Sequence, residues 1–339
     1  MRTTQLLLLV IHFTALSACG GGGEGPTEPE SPGPGPHFSV SPLPIETIGR
    51  ITALGFNNNI FPTDHTYWET CESWSIMRLD LPCVLERQAL KAPGSGVVVR
   101  INPAEDGFLV VEGPPGLIWT FGHVTPSAGL SVGAPITAGQ VVAIMYVEHG
   151  FDFGLTNYAV DHRYIVPQNF TDQERHGENP IAQFPEPIRS ELLTRMNPAG
   201  PNLGRLSYDS LGTASGHWLV AGSGPFVRSP QTDRLVLWLG RWTERQETRI
   251  VAFGEAWQGM QNSIVAVDAV APSWEEITNG SGVVPVKLWN LGTDARPNLT
   301  FPGGTLLLEV VDDLTLRMEW FDTHESVTDF TLAMRLYER

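Results

Sequence analysis

Apolar and polar residues alternate with the two-residue period of β-strands over residues 48–166, in short runs separated by Gly and Pro turns. Val97, Val99 and Ile101 alternate in this way before a turn at 103–107. Further strands are predicted at 108–111, 117–121 and 141–147. Helical periodicity is absent from this stretch, so the pattern predicts a compact all-β domain.

The alternation returns beyond residue 204. One strand is predicted with its inward side chains at Leu306, Leu308 and Val310, and a turn is predicted at Asp312-Asp313. A returning strand is predicted from the alternating residues Leu314, Leu316, Met318 and Trp320. The same period recurs in two further sets of residues: Leu235, Leu237 and Leu239, and Phe330, Leu332, Met334 and Leu336. These strands predict a second antiparallel β domain, either a barrel or a sandwich.

Tryptophan is concentrated in this second domain, where seven of the ten lie beyond residue 200. Trp238 and Trp242 have two interpretations: an exposed platform on which a sugar ring stacks, or core packing. Core packing is the more common use of tryptophans at this density.

A single amphipathic helix is predicted between the two domains. Over 185–196 the residues Ile188, Leu192 and Met196 fall at helical spacing, Pro187 suits a first turn, and Asn-Pro-Ala-Gly follows. The predicted organisation is therefore a first β domain at 39–175, a linker with one helix at 176–204 and a second β domain at 205–339.

The amino terminus has the features of a secretory signal. Arg2 precedes an apolar stretch over residues 6–16 that is too short to span a bilayer. The sequence Leu-Ser-Ala-Cys that ends at Cys19 resembles the lipobox of bacterial lipoproteins, which implies cleavage after residue 18 and a lipid on the Cys19 sulfur. We therefore expect residues 1–18 to be a signal peptide and the protein to be exported and anchored to the bacterial cell envelope, at the outer membrane.

A spacer follows the predicted anchor. Of the seventeen residues from Gly20 to Pro36, twelve are Gly or Pro, a composition that forms an extended tether rather than a packed core. Residues 19–38 are therefore expected to separate the lipid from the first domain, and the membrane is an expected partner through that lipid.

Charge and cysteine content narrow the partners and the compartment. Without Arg2 the chain has 20 basic and 37 acidic residues, which disfavours nucleic acid as a partner. Cys71 and Cys83 are the only other cysteines, and in an oxidising compartment they are expected to form a disulfide. A two-cysteine metal site is the alternative, but no nearby histidine completes one.

Several segments of residues 48–166 resemble the LytM or lysostaphin type of zinc peptidase, whose half-barrel domain cleaves peptide cross-links in bacterial cell walls. The matching segments, in chain order, are Lys-Ala-Pro-Gly-Ser-Gly-Val-Val at 91–98, Thr-Phe-Gly-His-Val at 120–124, the glycine turns at 132–133 and 138–140, and Gly-Phe-Asp-Phe-Gly at 150–154. Lipoyl and biotinyl carriers share the glycine turns, but they need a lysine in a tight turn. Lys91, the only lysine of the domain, precedes a strand.

The resemblance implies a zinc ion held by the His and Asp of H-x-x-x-D and by the second His of H-x-H. His65 matches the first ligand, Glu69 falls at the spacing of the Asp, and Asp152 matches the second His of H-x-H. His123 matches the loop histidine that assists catalysis. We therefore expect a metal site of His65, Glu69 and Asp152, with His123 as the catalytic residue.

This chain departs from the pattern of the family at three positions. Glu69 replaces Asp, Asp152 replaces a histidine ligand, and Gly150 replaces an assisting histidine, for which the adjacent His149 is a substitute. A site with two carboxylates and one imidazole has a weaker preference for zinc over harder cations. In an alternative register, His65 occupies the Asp place, with Asn59 or Asp64 near it.

The residues also have purely structural interpretations. A histidine before a strand, such as His65, is often half-buried and hydrogen-bonded to a neighbour, and Asp152 can cap a turn. For His123, the pattern favours a functional and a structural role equally. Two functions therefore stay open: metal-assisted hydrolysis of a peptide bond in peptidoglycan or a related extracellular polymer, and a catalytically inactive binding or regulatory module that contacts peptidoglycan or envelope proteins.

Overall fold

The computed structural model describes residues 35–56, 62–70, 86–146, 150–197, 203–223, 236–243, 245–254, 263–289 and 303–339. The described chain forms two separate β-sheets, one of them a closed barrel, with a few short helices. The predicted all-β class is therefore confirmed, and the second domain is a barrel rather than a sandwich.

The first sheet contains ten strands in the order β10-β1-β2-β9-β6-β5-β4-β7, with β8 pairing both β6 and β3. Every pairing is antiparallel except that of β1 with β10. The strands are β1 Arg50–Thr52, β2 Thr66–Glu69, β3 Ala89–Lys91, β4 Gly96–Asn102, β5 Gly107–Glu112, β6 Leu117–Pro126, β7 Pro135–Ile136, β8 Val141–Met145, β9 Gly150–Asn157 and β10 Met196–Asn197.

One face of this sheet is packed with aromatic side chains. Trp68 of β2, Phe121 of β6 and Phe153 of β9 are fully buried, and their ring centroids lie 5.0–5.4 Å apart in tilted or edge-on pairs. Because side chains alternate along a strand, burying these residues turns their neighbours Tyr67 and Asp152 to the opposite face. The aromatic core thus fixes which residues of the central strands face solvent.

In β4 the structure corrects the predicted phase of alternation. Val98 is fully buried, whereas Val97 and Val99 are exposed. The pairing with β5 shifts between Val98 and Arg100, so Val99 is an extra residue at a β-bulge. After the bulge, Ile101 packs against the core, as the sequence pattern predicts.

The helices are short. The structure has α1 at Asp172–His176 and α2 at Ile188–Leu193, with 3-10 turns at Ile45–Thr47, Pro167–Asn169 and Pro180–Gln183. The helix predicted over 185–196 therefore exists but is shorter, because Met196 instead begins a strand paired with β1. Residues of the predicted linker pack into the core of the first domain, namely Ile181, Phe184, Leu192 and Met196.

The second sheet is a closed antiparallel barrel in which each strand pairs with the next and the last pairs with the first. Its strands are β11 Gly216–Val220, β12 Val236–Trp242, β13 Arg245–Phe253, β14 Ser263–Val267, β15 Val284–Trp289, β16 Gly304–Asp312, β17 Thr315–Phe321 and β18 Arg335–Glu338. The interior contains the predicted inward residues Leu306, Leu308 and Val310, together with Trp218 and Trp274.

The strand predicted over 330–336 is wrong in both position and phase. The strand is β18, at Arg335–Glu338, and Tyr337 is its buried residue, whereas Leu332 and Leu336 are exposed. Thr331 instead belongs to a turn, where its backbone N–H donates to Glu319 Oε2 over 2.7 Å. The contact between Thr331 and Glu319 therefore favours a turn at residues where the apolar alternation predicts a strand.

Trp238 and Trp242 lie on the outer surface of the barrel and are nevertheless buried, at 0% and 9% exposure. They pack with Tyr208 and Ile250, and Phe170 of the first domain lies against the same cluster. Neither ring is available as a sugar-stacking platform, so core packing is the correct interpretation.

The two domains contact each other. Leu54, Tyr164 and Leu206 form a small buried cluster, and the Ile165 N–H donates to Asp209 Oδ2 over 3.1 Å. The Thr243 hydroxyl of the barrel donates to the carbonyl of Gly55. Within the described ranges, no helix combines the length and the apolar character that crossing a membrane requires.

Candidate functional site

Asp152 lies at the centre of the polar face of the first sheet. It belongs to β9, which pairs with β2 on one side and β6 on the other, so that Asp152 is opposite both Tyr67 and Gly122. Phe151 and Phe153 point into the core. Alternation therefore directs the Asp152 carboxylate to the other face, between two neighbouring strands.

Gly122 provides the space into which the Asp152 side chain extends. A Cβ atom at Gly122 would lie 3.2 Å from Asp152 Cβ and 3.3 Å from Asp152 Oδ2. These distances are at the lower limit of van der Waals contact. The absence of a side chain at Gly122 thus allows the carboxylate to lie across β6.

His65 contacts Asp152 from the residue before β2. Its Nε2 is 3.3 Å from Asp152 Oδ2, and its Nδ1 is 2.8 Å from Asp64 Oδ1. The imidazole also packs edge-on against Tyr67, with ring centroids 5.0 Å apart. His65 is therefore held between two carboxylates and an aromatic ring.

His123 reaches the same carboxylate from β6. Gly107 pairs with Val124 but Phe108 pairs with Gly122, which leaves His123 as an extra residue at a β-bulge with a φ of 54°. Its Nε2 is 3.5 Å from Asp152 Oδ2. The bulge turns the His123 side chain out of the regular alternation and toward the site.

A second carboxylate binds the outer nitrogen of His123. Asp106 Oδ1 lies 2.5 Å from His123 Nδ1, and both side chains are about half exposed, at 48% and 51%. Asp106 was not among the residues predicted for the site. The only signal for it is the Asp-Gly pair at 106–107, which marks a turn rather than a site.

The environment of Asp152 shifts its titration. Burial raises the pKa of Asp152, the facing imidazoles of His65 and His123 lower it, and the carboxylates Asp64 and Asp106 raise it again. The pKa of Asp152 lies above its ordinary value as a result. Ionisation of Asp152 is therefore less favourable in the folded protein than in water.

Glu69 lies at the other end of β2. Its Oε2 is 3.9 Å from Nη1 of Arg50, and Glu69 pairs with Gly150 rather than with Asp152. An extended chain rises about 3.3 Å per residue, which separates the Cα atoms of His65 and Glu69 by about 13 Å. Glu69 therefore lies outside the group of side chains that converges on Asp152.

Other residues singled out from the sequence lie outside the described ranges. These are Cys19, Asn59, Cys71, Cys83 and His149.

The donors around Asp152 suit a zinc ion in type and in two of their spacings. Two imidazoles and one carboxylate converge, and each imidazole is bound at its other nitrogen by Asp64 or Asp106, the arrangement that orients histidine ligands in many metal sites. Ligands on a tetrahedral zinc lie about 3.4 Å apart. The distances from Asp152 Oδ2 to His65 Nε2 and His123 Nε2 are 3.3 and 3.5 Å.

The described residues do not yet form a complete metal-binding group. Among them, no three His, Cys, Asp or Glu side chains are arranged so that they could hold an ion as they stand. The donor types are therefore present, but binding of a metal ion would require side chains of the site to move.

No protein family and no curated protein matches the sequence. Among solved structures, Csd3 of Helicobacter pylori is similar at 12% identity over 37% of this chain and 31% of Csd3, with a TM-score of 0.27. This chain thus spans about a third of the length of Csd3. A putative glycyl-glycine endopeptidase lytM from Ruminococcus gnavus is similar at 16% identity over 32% of this chain and 42% of that one, with a TM-score of 0.21.

Lysostaphin is similar over a longer stretch, 82% of this chain and 80% of its own, at 8% identity and a TM-score of 0.26. Similarities of this size describe the backbone only, and they assign no role to any side chain.

Proposed function

We propose that the protein is an envelope lipoprotein whose first domain hydrolyses a peptide bond in cell-wall peptide or a related extracellular polymer at a metal centre. The observation that supports this proposal is the convergence of His65, His123 and Asp152 on one side of the sheet. Packing alone gives no reason for three residues from separate strands to bring their polar atoms together on the solvent side.

The orientation of the two imidazoles supports a cation between them. When Nδ1–H of His65 donates to Asp64 and Nδ1–H of His123 donates to Asp106, both Nε2 atoms present lone pairs to the Asp152 carboxylate. Lone pairs and a carboxylate that face one another repel unless a proton or a metal ion lies among them. The donor types favour zinc or a similar transition metal.

We assign the ligands as His65 Nε2, His123 Nε2 and Asp152 Oδ2. This is the donor set of two histidines and one aspartate that the LytM resemblance implies, with the carboxylate and one imidazole exchanged between strand positions. A zinc ion bound there supplies a water molecule of lowered pKa as the nucleophile. His123 has the most exposed side chain of the three.

A catalytically inactive binding domain is the second candidate. It is favoured by Gly150, which occupies the position of an assisting histidine, and by the close contacts that Asp152 already makes with both imidazoles. In that case the site would recognise envelope peptide without cleaving it.

Metal analysis and a digestion assay on the full-length protein test the proposal. We expect a single equivalent of zinc and release of peptide from purified peptidoglycan. Asp152→Ala and His65→Ala should each abolish both, whereas His324→Ala, an exposed histidine of the barrel, should change neither. The hydrolase function would be excluded if the wild-type protein neither binds zinc nor cleaves peptidoglycan. Binding of the metal-free protein to peptidoglycan would establish the second candidate, a binding domain.

The envelope location rests on the lipobox ending at Cys19 and on the Gly- and Pro-rich tether. Cys19→Ser should leave the protein without lipid, which detergent partitioning and mass spectrometry detect. Unchanged partitioning of this variant would exclude the anchor. We also propose a disulfide between Cys71 and Cys83, so that thiol labelling of the denatured, unreduced protein should find neither cysteine free.

A further inference from the structure

Asp106 binds the outer nitrogen of His123, on the side of the imidazole opposite Asp152. Its Oδ1 is 2.5 Å from His123 Nδ1, whereas the opposite nitrogen, Nε2, faces Asp152. We propose that Asp106 is a positioning residue, which fixes the proton of His123 on Nδ1 and aims Nε2 at the site. This inference rests on the proposed function for its catalytic meaning but not for its geometry.

The backbone on both sides of this contact is in an unusual conformation. Asp106 has a φ of 55° and His123 a φ of 54°, in the left-handed region that residues other than glycine seldom adopt. Arg163 is the only other described residue, glycine excepted, with a positive φ. Two such residues that contact each other through their side chains indicate that the local fold maintains this pair at a backbone cost, as is common at functional sites.

The strands explain how the pair is built. His123 is the bulged residue of β6, and Val124, which follows it, pairs with Gly107 of β5 directly after Asp106. Gly107 is closely packed, because a Cβ atom there would lie 2.1 Å from the carbonyl oxygen of Asn102. The bulge and the tight turn therefore set Asp106 and His123 side by side.

His123 needs this support more than His65 does. The His65 side chain is 22% exposed and packs against Tyr67, whereas the His123 side chain is 51% exposed. An exposed imidazole without a partner exchanges its proton between its two nitrogens and changes rotamer readily. The carboxylate of Asp106 removes both freedoms.

Two substitutions separate positioning from general effects on the turn. Asp106→Gly removes the acceptor and suits a φ of 55°, so the turn should still form. Asp106→Asn tolerates the same φ and keeps an oxygen acceptor. Glu105→Gln is the matched control, because it removes a negative charge from the neighbouring exposed residue of the same turn.

The first measurement is nitrogen NMR of ¹⁵N-histidine-labelled, metal-free full-length protein. We expect His123 to carry its proton on Nδ1 in the wild type, in Asp106→Asn and in Glu105→Gln, and to show averaged or Nε2-protonated shifts in Asp106→Gly. An unchanged His123 tautomer in a folded Asp106→Gly protein would overturn the proposal. This readout does not depend on metal binding or activity.

The second measurement is the zinc affinity of the same four proteins by calorimetry. Loss of a residue that orients a histidine ligand typically weakens metal binding by about 10- to 100-fold. We expect that loss for Asp106→Gly, substantial rescue in Asp106→Asn and wild-type affinity in Glu105→Gln. If the wild type binds no zinc while its tautomer depends on Asp106, then the metal centre is refuted and the positioning role stands. If zinc binds equally well to Asp106→Gly and the wild type, the positioning role fails and the metal centre stands.

Discussion

Asp152 and Asp209 both face histidines, but their carboxylates make different contacts. Asp152 faces the imidazoles of His65 and His123 on an open side of the first domain. Asp209 faces His217 at the junction with the barrel, where both side chains are almost completely buried. Asp209 also accepts backbone N–H groups from Ile165 and His217.

The pKa values of the two carboxylates move in opposite directions. Burial alone would raise both pKa values. For Asp152, burial outweighs the opposing effect of the two imidazoles, so its pKa is raised. For Asp209, burial is outweighed by the hydrogen bonds and charge of His217 and by the charge of Arg339, so its pKa falls below the ordinary value. The backbone N–H groups that bind Asp209 indicate a structural role, whereas Asp152 is the proposed metal ligand.

The largest effect is expected from removing the buried carboxylate. Asp209→Ala leaves two backbone N–H groups and His217 without their acceptor and should lower the free energy of unfolding by about 3–5 kcal/mol. Urea unfolding followed by tryptophan fluorescence measures this change. If the free energy of unfolding falls no more than in Glu105→Ala, a control at an exposed residue, then Asp209 has no structural role and does not differ from Asp152 in this respect.

The pH dependence of stability tests whether the charge of Asp209 stabilises the fold. Because folding lowers the pKa of Asp209, the stabilising effect of its charge is complete above the unfolded value, about 3.9, and is lost as the pH falls through the lower folded value. The advantage of the wild type over Asp209→Asn should therefore be constant from pH 5 to pH 7 and shrink below about pH 3.9. An advantage that persists unchanged in acid would exclude an electrostatic origin.

Asp152→Asn should act in the opposite direction, with a smaller effect on stability. Folding raises the pKa of Asp152, so its ionised form destabilises the metal-free protein at neutral pH, and a neutral amide should increase the free energy of unfolding at pH 7. The increase should vanish well below pH 3.9, where the carboxyl is protonated in both states. The same variant should lose zinc binding. A lower free energy of unfolding at pH 7 would show that the Asp152 carboxylate stabilises the metal-free protein, contrary to this prediction.

Gly122→Ala should have the smallest effect on stability, below about 1 kcal/mol, and still weaken zinc binding. The added methyl would lie 3.2 Å from Asp152 Cβ and push that side chain away from the imidazoles. Gly113→Ala is the matched control, since its nearest neighbours are 3.6 Å away, in ordinary contact. Equal zinc affinity in both variants would show that the position of the Asp152 carboxylate is not critical.

Sequence periodicity was sufficient for the class of fold and for several of the strands. It identified the inward residues Leu306, Leu308 and Val310 correctly, because each strand has one buried face. It failed at Val99, where a bulge resets the phase, and at residues 330–336, where a polar contact of Thr331 outweighs the apolar alternation. Both failures depend on contacts with a neighbouring strand that the apolar pattern of one segment does not contain.

The candidate site was predictable in part. The spacing of residues around His65, His123 and Asp152 selected them through the LytM resemblance, and the structure brings these three side chains within 3.5 Å contacts. Asp106 could not be selected, because its role depends on a bulge in a strand seventeen residues away. Glu69 was selected by spacing along the chain, but four residues of extended backbone place it at the other end of β2.

The closure of the barrel determines when the second domain can complete its folding. Leu219 of the first barrel strand pairs with Glu338 of the last. Contacts between residues so far apart in sequence form slowly, because a long loop must close before the pairing stabilises it. Until the last strand docks, β11 and β17 are unpaired edges that can associate with other chains. The nascent barrel is therefore open to aggregation until the C-terminal strand pairs with both edges.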